Sequence, residues 1–470
     1  MLNRYSFLVI SMILLVACST AQNVSISGKK TFQTIRSLGV NANPQSWEIN
    51  PTAVRSVIDQ LVDSMGCTSF RLMFDDCDWE SVNDNDDPHV YNWHYYDSLY
   101  STPRFAGIWD MMRYLNSKGI TDIALSPDGA APAWMGSTQL SAGKESEYAE
   151  MISSMVYYAA RKLQPAVSFT TISPINESTC GGGEGVQTTP AQFGELYKEV
   201  ASHLIADSLT EISIVGPDDC GGWLANVHAM LGNAVTMSKV KYFGQHSYGN
   251  TTEKAKELIT TIKHSAYPDR EAFMTELNEV CKDCDGGVYN KDYNFTAYAA
   301  PAYQYILQHL NEGITAVQLW EAYDSRYHHP NRYLTWSMWG VFAINDTTHP
   351  DVYTPRPHFS VLKHLYRFVK PGYKRIDVST TLNNIILSGF SDSATQTLVL
   401  TGINNSGKVQ QVKGMLQHLP ACDALEYYYS DAAHLFVKGK VVNVKGQLFG
   451  LSVPPNTVFT LVSYNKTSKK

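Results

Sequence analysis

A chain of 470 residues, 44% of them hydrophobic and 17% charged, is long enough to bury a large core and to hold a barrel with an appended domain. A net charge of −7 and the lack of any basic block argue against a nucleic-acid partner. Aromatic residues reach 11%, with nine Trp and 28 Tyr, which is high for core packing alone.

The first residues read as a leader rather than as part of a fold. Arg4 precedes an apolar run from Phe7 to Ala17, the length of a signal h-region and too short to span a bilayer. Leu15-Val16-Ala17-Cys18 is similar to a bacterial lipobox, which would make Cys18 the lipidated first residue of the mature chain; ordinary cleavage after Ala21 is the alternative. Ser19, by the same resemblance, favours the outer membrane. The expectation is therefore a leader within residues 1–21 and an exported, outer-membrane-anchored lipoprotein, with a secreted or periplasmic protein as the alternative.

From residue 35 to 370, apolar β-branched segments alternate with amphipathic ones, the pattern of an α/β fold. Strands are predicted at 35–41, 68–74, 121–126, 168–174, 211–216, 241–246, 272–276 and 315–320. Helices are predicted at 51–65, 108–118, 145–162, 190–204, 252–263, 297–313 and 357–369. Eight strands with intervening helices predict a (β/α)8 TIM barrel over residues 35–370. An open doubly wound sheet would need a Gly-rich phosphate loop after its first strand, and none is present. After Pro371-Gly372 the segments become short and alternating, at 384–388, 397–402, 408–416, 425–430, 441–444 and 457–463. They predict a β-sandwich from residues 371–470, with 22–34 adding a strand.

The active face of such a barrel lies at the strand C-termini, and unusual residues gather there. Trp47 follows the first strand. Arg71, Asp75, Asp76, Asp78 and Trp79 belong to the second, and Asp128 and Trp134 to the third. Asp218, Asp219 and Trp223 follow the fifth, His246 and Tyr248 the sixth, and Trp320, Glu321 and Asp324 the eighth. Indole and phenol rings stack on sugar faces, while carboxylates, amides and Arg bind hydroxyls.

Two glutamates stand out. Glu177 closes the fourth strand beside Asn176, and Glu276 closes the seventh; the roughly 100 residues between them leave room for about three strand–helix repeats. A pair of carboxyls across a cleft is what glycosidic bond cleavage needs, one protonating the leaving oxygen and the other attacking the sugar. Arg71 is expected to keep Glu276 ionised and Tyr248 to donate to it, while Asn176 meets a sugar hydroxyl. Glu279 is the competing nucleophile, but it falls in the loop beyond the strand end.

The chain has eight Cys, of which Cys180, Cys220, Cys281 and Cys284 lie near both glutamates. In an exported protein, local disulfides or buried thiols are expected there rather than a zinc site, because the paired CxxC spacing is missing.

Several pieces in order give a family resemblance: Arg71-Leu-Met-Phe-Asp-Asp-Cys-Asp78, Ser126-Pro127 with Ala133-Trp134-Met135, Ser173-Pro-Ile-Asn176-Glu177, His246-Ser-Tyr248, Thr275-Glu276 and Leu319-Trp320. The chain resembles glycoside hydrolase family 30, whose members include glucosylceramidases, endo-xylanases and endo-β-1,6-glycanases. The resemblance implies Glu177 as acid/base and Glu276 as nucleophile. Asp78, Trp134, Asn176 and Trp320 would line the subsite of the cleaved sugar, and Arg71, His246, Tyr248 and Trp223 would complete the binding set. The expected activity is retaining cleavage of a β-linked glycan, endo-acting on β-1,6-galactan, β-1,6-glucan or xylan. Exo-action, glucosylceramidase-like, and non-catalytic glycan binding are the alternatives. A monomer needing no metal or cofactor is expected, with an oligo- or polysaccharide as its partner. The runs from Cys180 to Gly185 and from Cys281 to Cys284, and the polar loop 321–332, depart from the family pattern.

Overall fold

The computed structural model describes residues 22–75, 79–181, 184–249, 251–281, 284, 293–329 and 332–464. The leader, Cys18, Asp76 and Asp78 lie outside the described residues.

Eight parallel strands close a barrel in chain order. After β1 (Val24–Thr34), they are β2 (Ser37–Ala42), β3 (Ser69–Asp75), β4 (Ile123–Asp128), β5 (Thr171–Ile172), β6 (Ser213–Asp219), β7 (Val240–Tyr248), β8 (Glu271–Asn278) and β9 (Ala316–Leu319). Each coincides with one of the eight predicted strands, so the fold is the (β/α)8 barrel that the alternation implies. The shortest is β5, because Pro174 offers no N–H to extend it. Its neighbours still bond across it, Ser173 N to Leu125 O at 2.9 Å and Ser213 N to Thr170 O at 3.0 Å.

Helix starts follow local chemistry. Thr189 opens the helix Pro190–Ala206 with a capping box to Gln192, and Pro stands at the first position, where its missing N–H costs nothing. Helix Pro44–Ile49, capped by the Asn43 side chain, was not expected; it carries Trp47 into the core, 3% exposed and packed on Tyr114.

The second part is one continuous ten-stranded sheet that curls on itself in the manner of a β-sandwich. β1 joins it, antiparallel to Lys374–Thr380 and parallel to Gln410–Gln417. Its inner face forms a separate apolar cluster around Ile26, Ile376, Leu400 and Phe459. Two barrel helices carry the contact between the parts. Tyr303 of Ala300–Glu312 meets Thr401 at 2.5 Å, and His364 of Pro357–Tyr366 meets Ser430 at 2.8 Å and Thr460 at 3.1 Å. Among the described residues, no helix is long and apolar enough to cross a membrane.

The loop 321–332 expected after the last barrel strand is instead largely a hairpin, Ser325–His329 paired with Arg332–Ser337. Glu321 and Asp324 are fully buried and held by neighbouring side chains. Glu321 accepts from Ser325 and Ser337, each at 2.6 Å, and Asp324 takes both Arg356 guanidinium nitrogens at 2.6 and 2.8 Å.

Candidate active site

Irregular backbone shapes the mouth of the barrel. The β6–β7 register shifts between Pro217 and Asp219, and the β7–β8 register shifts between Gln245 and His246. Each bulge inserts one residue and re-aims its neighbours. The inserted residues, Asp218 and Thr275, hydrogen-bond to each other at 2.6 Å, and the second shift sets His246 opposite Glu276. Asp218 also fixes the other glutamate, because its carbonyl accepts the Glu177 N–H at 2.8 Å. Both Glu177 (φ 43°) and Asp218 (φ 49°) occupy the left-handed region, uncommon for non-glycine residues and characteristic of functional positions. Two glycines keep the close packing possible. A Cβ on Gly244 would lie 1.9 Å from Asp218 Oδ1, and one on Gly185 would lie 1.6 Å from Asn176 O.

Arg71 ties the strand ends together. It is fully buried and reaches residues from five other strand ends. Nη1 donates to Asn41 Oδ1 at 3.0 Å and to Glu276 Oε1 at 2.8 Å; Nη2 donates to Ser126 Oγ at 2.9 Å and to Asn176 Oδ1 at 2.8 Å. Asp218 Oδ2 lies 3.3 Å from Nη2. Burial works against the guanidinium charge, and Asp218 and Glu276 together outweigh it. Replacing Arg71 with Met should therefore leave two buried carboxylates uncompensated. The expected loss is about 3–5 kcal/mol of stability, read from denaturant midpoints; an unchanged midpoint would show that the network is dispensable.

The two glutamates face one cavity of about 360 Å³, lined by Asp128, Asn176, Tyr248, Trp320 and Trp339 among others. Glu177 is 9% exposed and Glu276 4%. A carboxylate oxygen from each and a ring nitrogen of His246 lie within 4.8 Å of one another. His246 Nδ1 sits 2.7 Å from Glu177 Oε1 and 3.4 Å from Glu276 Oε2, bridging the pair. Tyr248 donates to Glu276 Oε2 at 2.8 Å.

Burial is the largest influence on Glu276 and lifts its carboxyl above the ordinary value, with Glu177 adding to the rise. His246, Arg71 and Tyr248 pull the other way. Arg71, expected to keep Glu276 ionised, thus opposes a burial effect larger than its own. Both Glu276 oxygens still accept from donors, the pattern of an ionised carboxylate. His246 is lowered, chiefly by burial, and is therefore neutral at neutral pH.

Glu177, His246 and Glu276 have the donor types of a metal site. The guanidinium already bonded to Glu276 supplies the positive charge that a cation would bring. The second such group, Glu177 with Cys180 and Cys220, offers no thiolate, since the two cysteines form a disulfide. Cys281 and Cys284 form another.

The structure brings together Arg71, Asn176, Glu177, His246, Tyr248, Glu276 and Trp320. It separates others. Trp223 is 4% exposed at the start of helix Trp223–Leu231 and does not line the cavity, while Trp79 is fully buried among Phe74, Tyr100 and Phe105. Trp134 stands half-buried outside the cavity, its indole N–H on Glu80 O at 2.7 Å and its ring under Lys144. Of the five tryptophans read as a shelf, only Trp320 lines the cavity. Trp339, which the sequence reading missed, lines it as well and packs edge-on against Tyr248 at 5.4 Å. Its only signal was the aromatic run Trp336-Ser-Met-Trp339. Glu279 is absent from the cavity lining. A second cavity of about 370 Å³ lies among Phe32, Lys263, Glu271 and Arg375, at the start of β8, and contains neither catalytic candidate.

No model of a known family matches the chain, and no curated protein matches it. Solved structures do. A family 30 endoxylanase from Clostridium papyrosolvens is similar over 94% of this chain and 99% of its own, at 18% identity and a TM-score of 0.70. An endo-β-1,6-glucanase is similar over 94% of each chain, at 15% identity and 0.67. A family 39 β-xylosidase from Caulobacter crescentus is similar over 94% of this chain and all of its own, at 15% and 0.58. Their activities differ; what they share with this chain is the fold, a (β/α)8 barrel with an attached β-sandwich-like sheet.

Proposed function

We propose that the chain is a retaining β-glycoside hydrolase working by double displacement. The observation that carries this reading is the approach of Glu177 and Glu276 within 4.8 Å at one cavity, bridged by His246. Retaining enzymes hold their carboxyls about 5–5.5 Å apart, whereas inverting ones leave about 6.5–9.5 Å for a water. The short separation supports direct attack by a carboxylate.

Glu276, gripped by Arg71 and Tyr248, attacks the anomeric carbon. Glu177 gives its proton to the departing oxygen, so the C–O bond breaks as the glycosyl–Glu276 ester forms. Glu177 then removes a proton from water, which displaces Glu276 and restores the starting state. The neutral imidazole of His246, its Nδ1 2.7 Å from Glu177 Oε1, keeps that carboxyl in place. Trp320 and Trp339 supply aromatic faces for the sugar. Arg71, Asn176, His246 and Tyr248 belong to the proposed binding set by position.

The proposal includes endo-action on a β-1,6-galactan, β-1,6-glucan or xylan. Product analysis on these polysaccharides and on aryl β-glycosides tests it. Oligosaccharides with β-anomers formed first support the reading, and single sugars alone would replace endo- with exo-action. Binding without turnover on every member would leave a glycan-binding protein. We also propose export with lipid attachment at Cys18, which fatty-acid labelling of the wild type and of Cys18→Ser would test.

A further inference from the structure

The proposed pair accounts for only part of the acid at the cavity. Its aromatic lining is Tyr248, Trp320 and Trp339, and its acidic lining is Asp128, Glu177, Glu184 and Glu276. Bond cleavage uses Glu177 and Glu276 and leaves Asp128 without a role. Asp128 ends β4, level with Asp75 of β3, and is 2% exposed. Directly after it, Gly129 (φ 88°) turns the chain and sends its N–H to Glu184 O at 3.3 Å.

Asp128 is held in place by its neighbour from the next strand. Asn176 Nδ2 donates to Asp128 Oδ1 at 3.1 Å and to Glu184 O at 2.9 Å, while Asn176 Oδ1 accepts from Arg71 Nη2 at 2.8 Å. Both amide hydrogens of Asn176 are thus spent within the protein, and the group they fix at the cavity is the Asp128 carboxylate. Arg71 orients that amide, so the guanidinium that grips Glu276 also sets Asp128. An ionised carboxylate accepts hydrogen bonds and offers none. It suits a hydroxyl, which gains a charge-assisted bond, and it repels a second carboxylate.

We propose that Asp128 determines specificity: it accepts a hydroxyl of a neutral sugar and excludes uronic acids from the cavity. This role rests on the reading of the cavity as the place where the cleaved sugar sits. Glu177, Glu184 and Glu276 line the same space of about 360 Å³, so a sugar carboxylate entering it meets like charge from several residues. Neutral backbones such as β-1,6-galactan, β-1,6-glucan and undecorated xylan fit these demands. A uronate-bearing unit is refused at the cleaved position.

The test uses the full chain and Asp128→Asn, which keeps the size of the side chain and an acceptor for Asn176. Ligand-observed NMR titration gives dissociation constants for glucose, galactose and xylose, and for glucuronate and galacturonate. At least one neutral sugar should bind the wild type, with both uronates weaker by at least about tenfold, the low end for a hydrogen bond to a charged group. Asp128→Asn should cut that ratio by about tenfold. Asp128→Ser, which also keeps an acceptor, serves if the first variant does not fold. Turnover of aryl β-glycosides by the same samples decides the hydrolase reading separately, since the expected ratio without turnover overturns that reading alone. Uronates binding as tightly as neutral sugars, an undiminished ratio in a folded variant, or no neutral sugar binding to the wild type would overturn the role of Asp128.

Discussion

Glu276→Ala should lose activity on every substrate, whatever its leaving group, by on the order of 10⁴-fold or more, the scale on which covalent catalysis fails without its nucleophile. The reason is geometric. Glu276 is the carboxylate held by Arg71 at 2.8 Å and by Tyr248 at 2.8 Å, and it faces the cavity that Glu279 does not reach. Steady-state kinetics on an aryl β-glycoside would measure the loss, with Glu279→Ala expected within a few-fold of wild type. Removing Glu276 leaves Arg71 with Asp218 as its remaining carboxylate partner at contact distance, so circular dichroism should accompany the kinetics. Glu276→Gln provides an isosteric second variant. Wild-type turnover in a folded Glu276 variant would remove the nucleophile assignment.

Glu177→Gln should divide substrates by leaving group. Proton transfer contributes about 10²–10⁴-fold, so polysaccharides and alkyl glycosides should lose roughly that much. Glycosides with an acidic phenol as leaving group depart without help and should form the intermediate at near wild-type rate. Deglycosylation then becomes slow, because no base activates water, and added azide should restore turnover by attacking the intermediate directly. An equal loss on all leaving groups, without azide rescue, would mean that Glu177 does not act as acid/base.

Strong periodicity made the barrel legible. Each of the eight closed-barrel strands overlaps a segment recognised by β-branched runs, and the helix predicted at 190–204 is found at Pro190–Ala206. Other elements depended on contacts that local sequence does not show. Trp93–Tyr100 is an aromatic stretch with strand-like propensity, yet it is helical because Asn92 caps it and Tyr96 and Tyr100 are fully buried. Trp47, Trp79 and Trp223 illustrate the same gap, since their positions near strand ends do not say which way the rings turn. The glutamate pair was recognisable from its strand-end placement. The bulges at Asp218 and Thr275 were not, because an inserted residue leaves no mark in a period-2 pattern until its partner strand is known.

The most direct test of the account is to trap the intermediate. A 2-deoxy-2-fluoro β-glycoside with a good leaving group, in gluco, galacto and xylo forms, should inactivate the enzyme with one form at least. Peptide mass spectrometry should then find the sugar on Glu276, with Glu276→Gln unlabelled. Turnover of the natural glycan without any trapped adduct, or an adduct on another carboxylate such as Glu279, would contradict it.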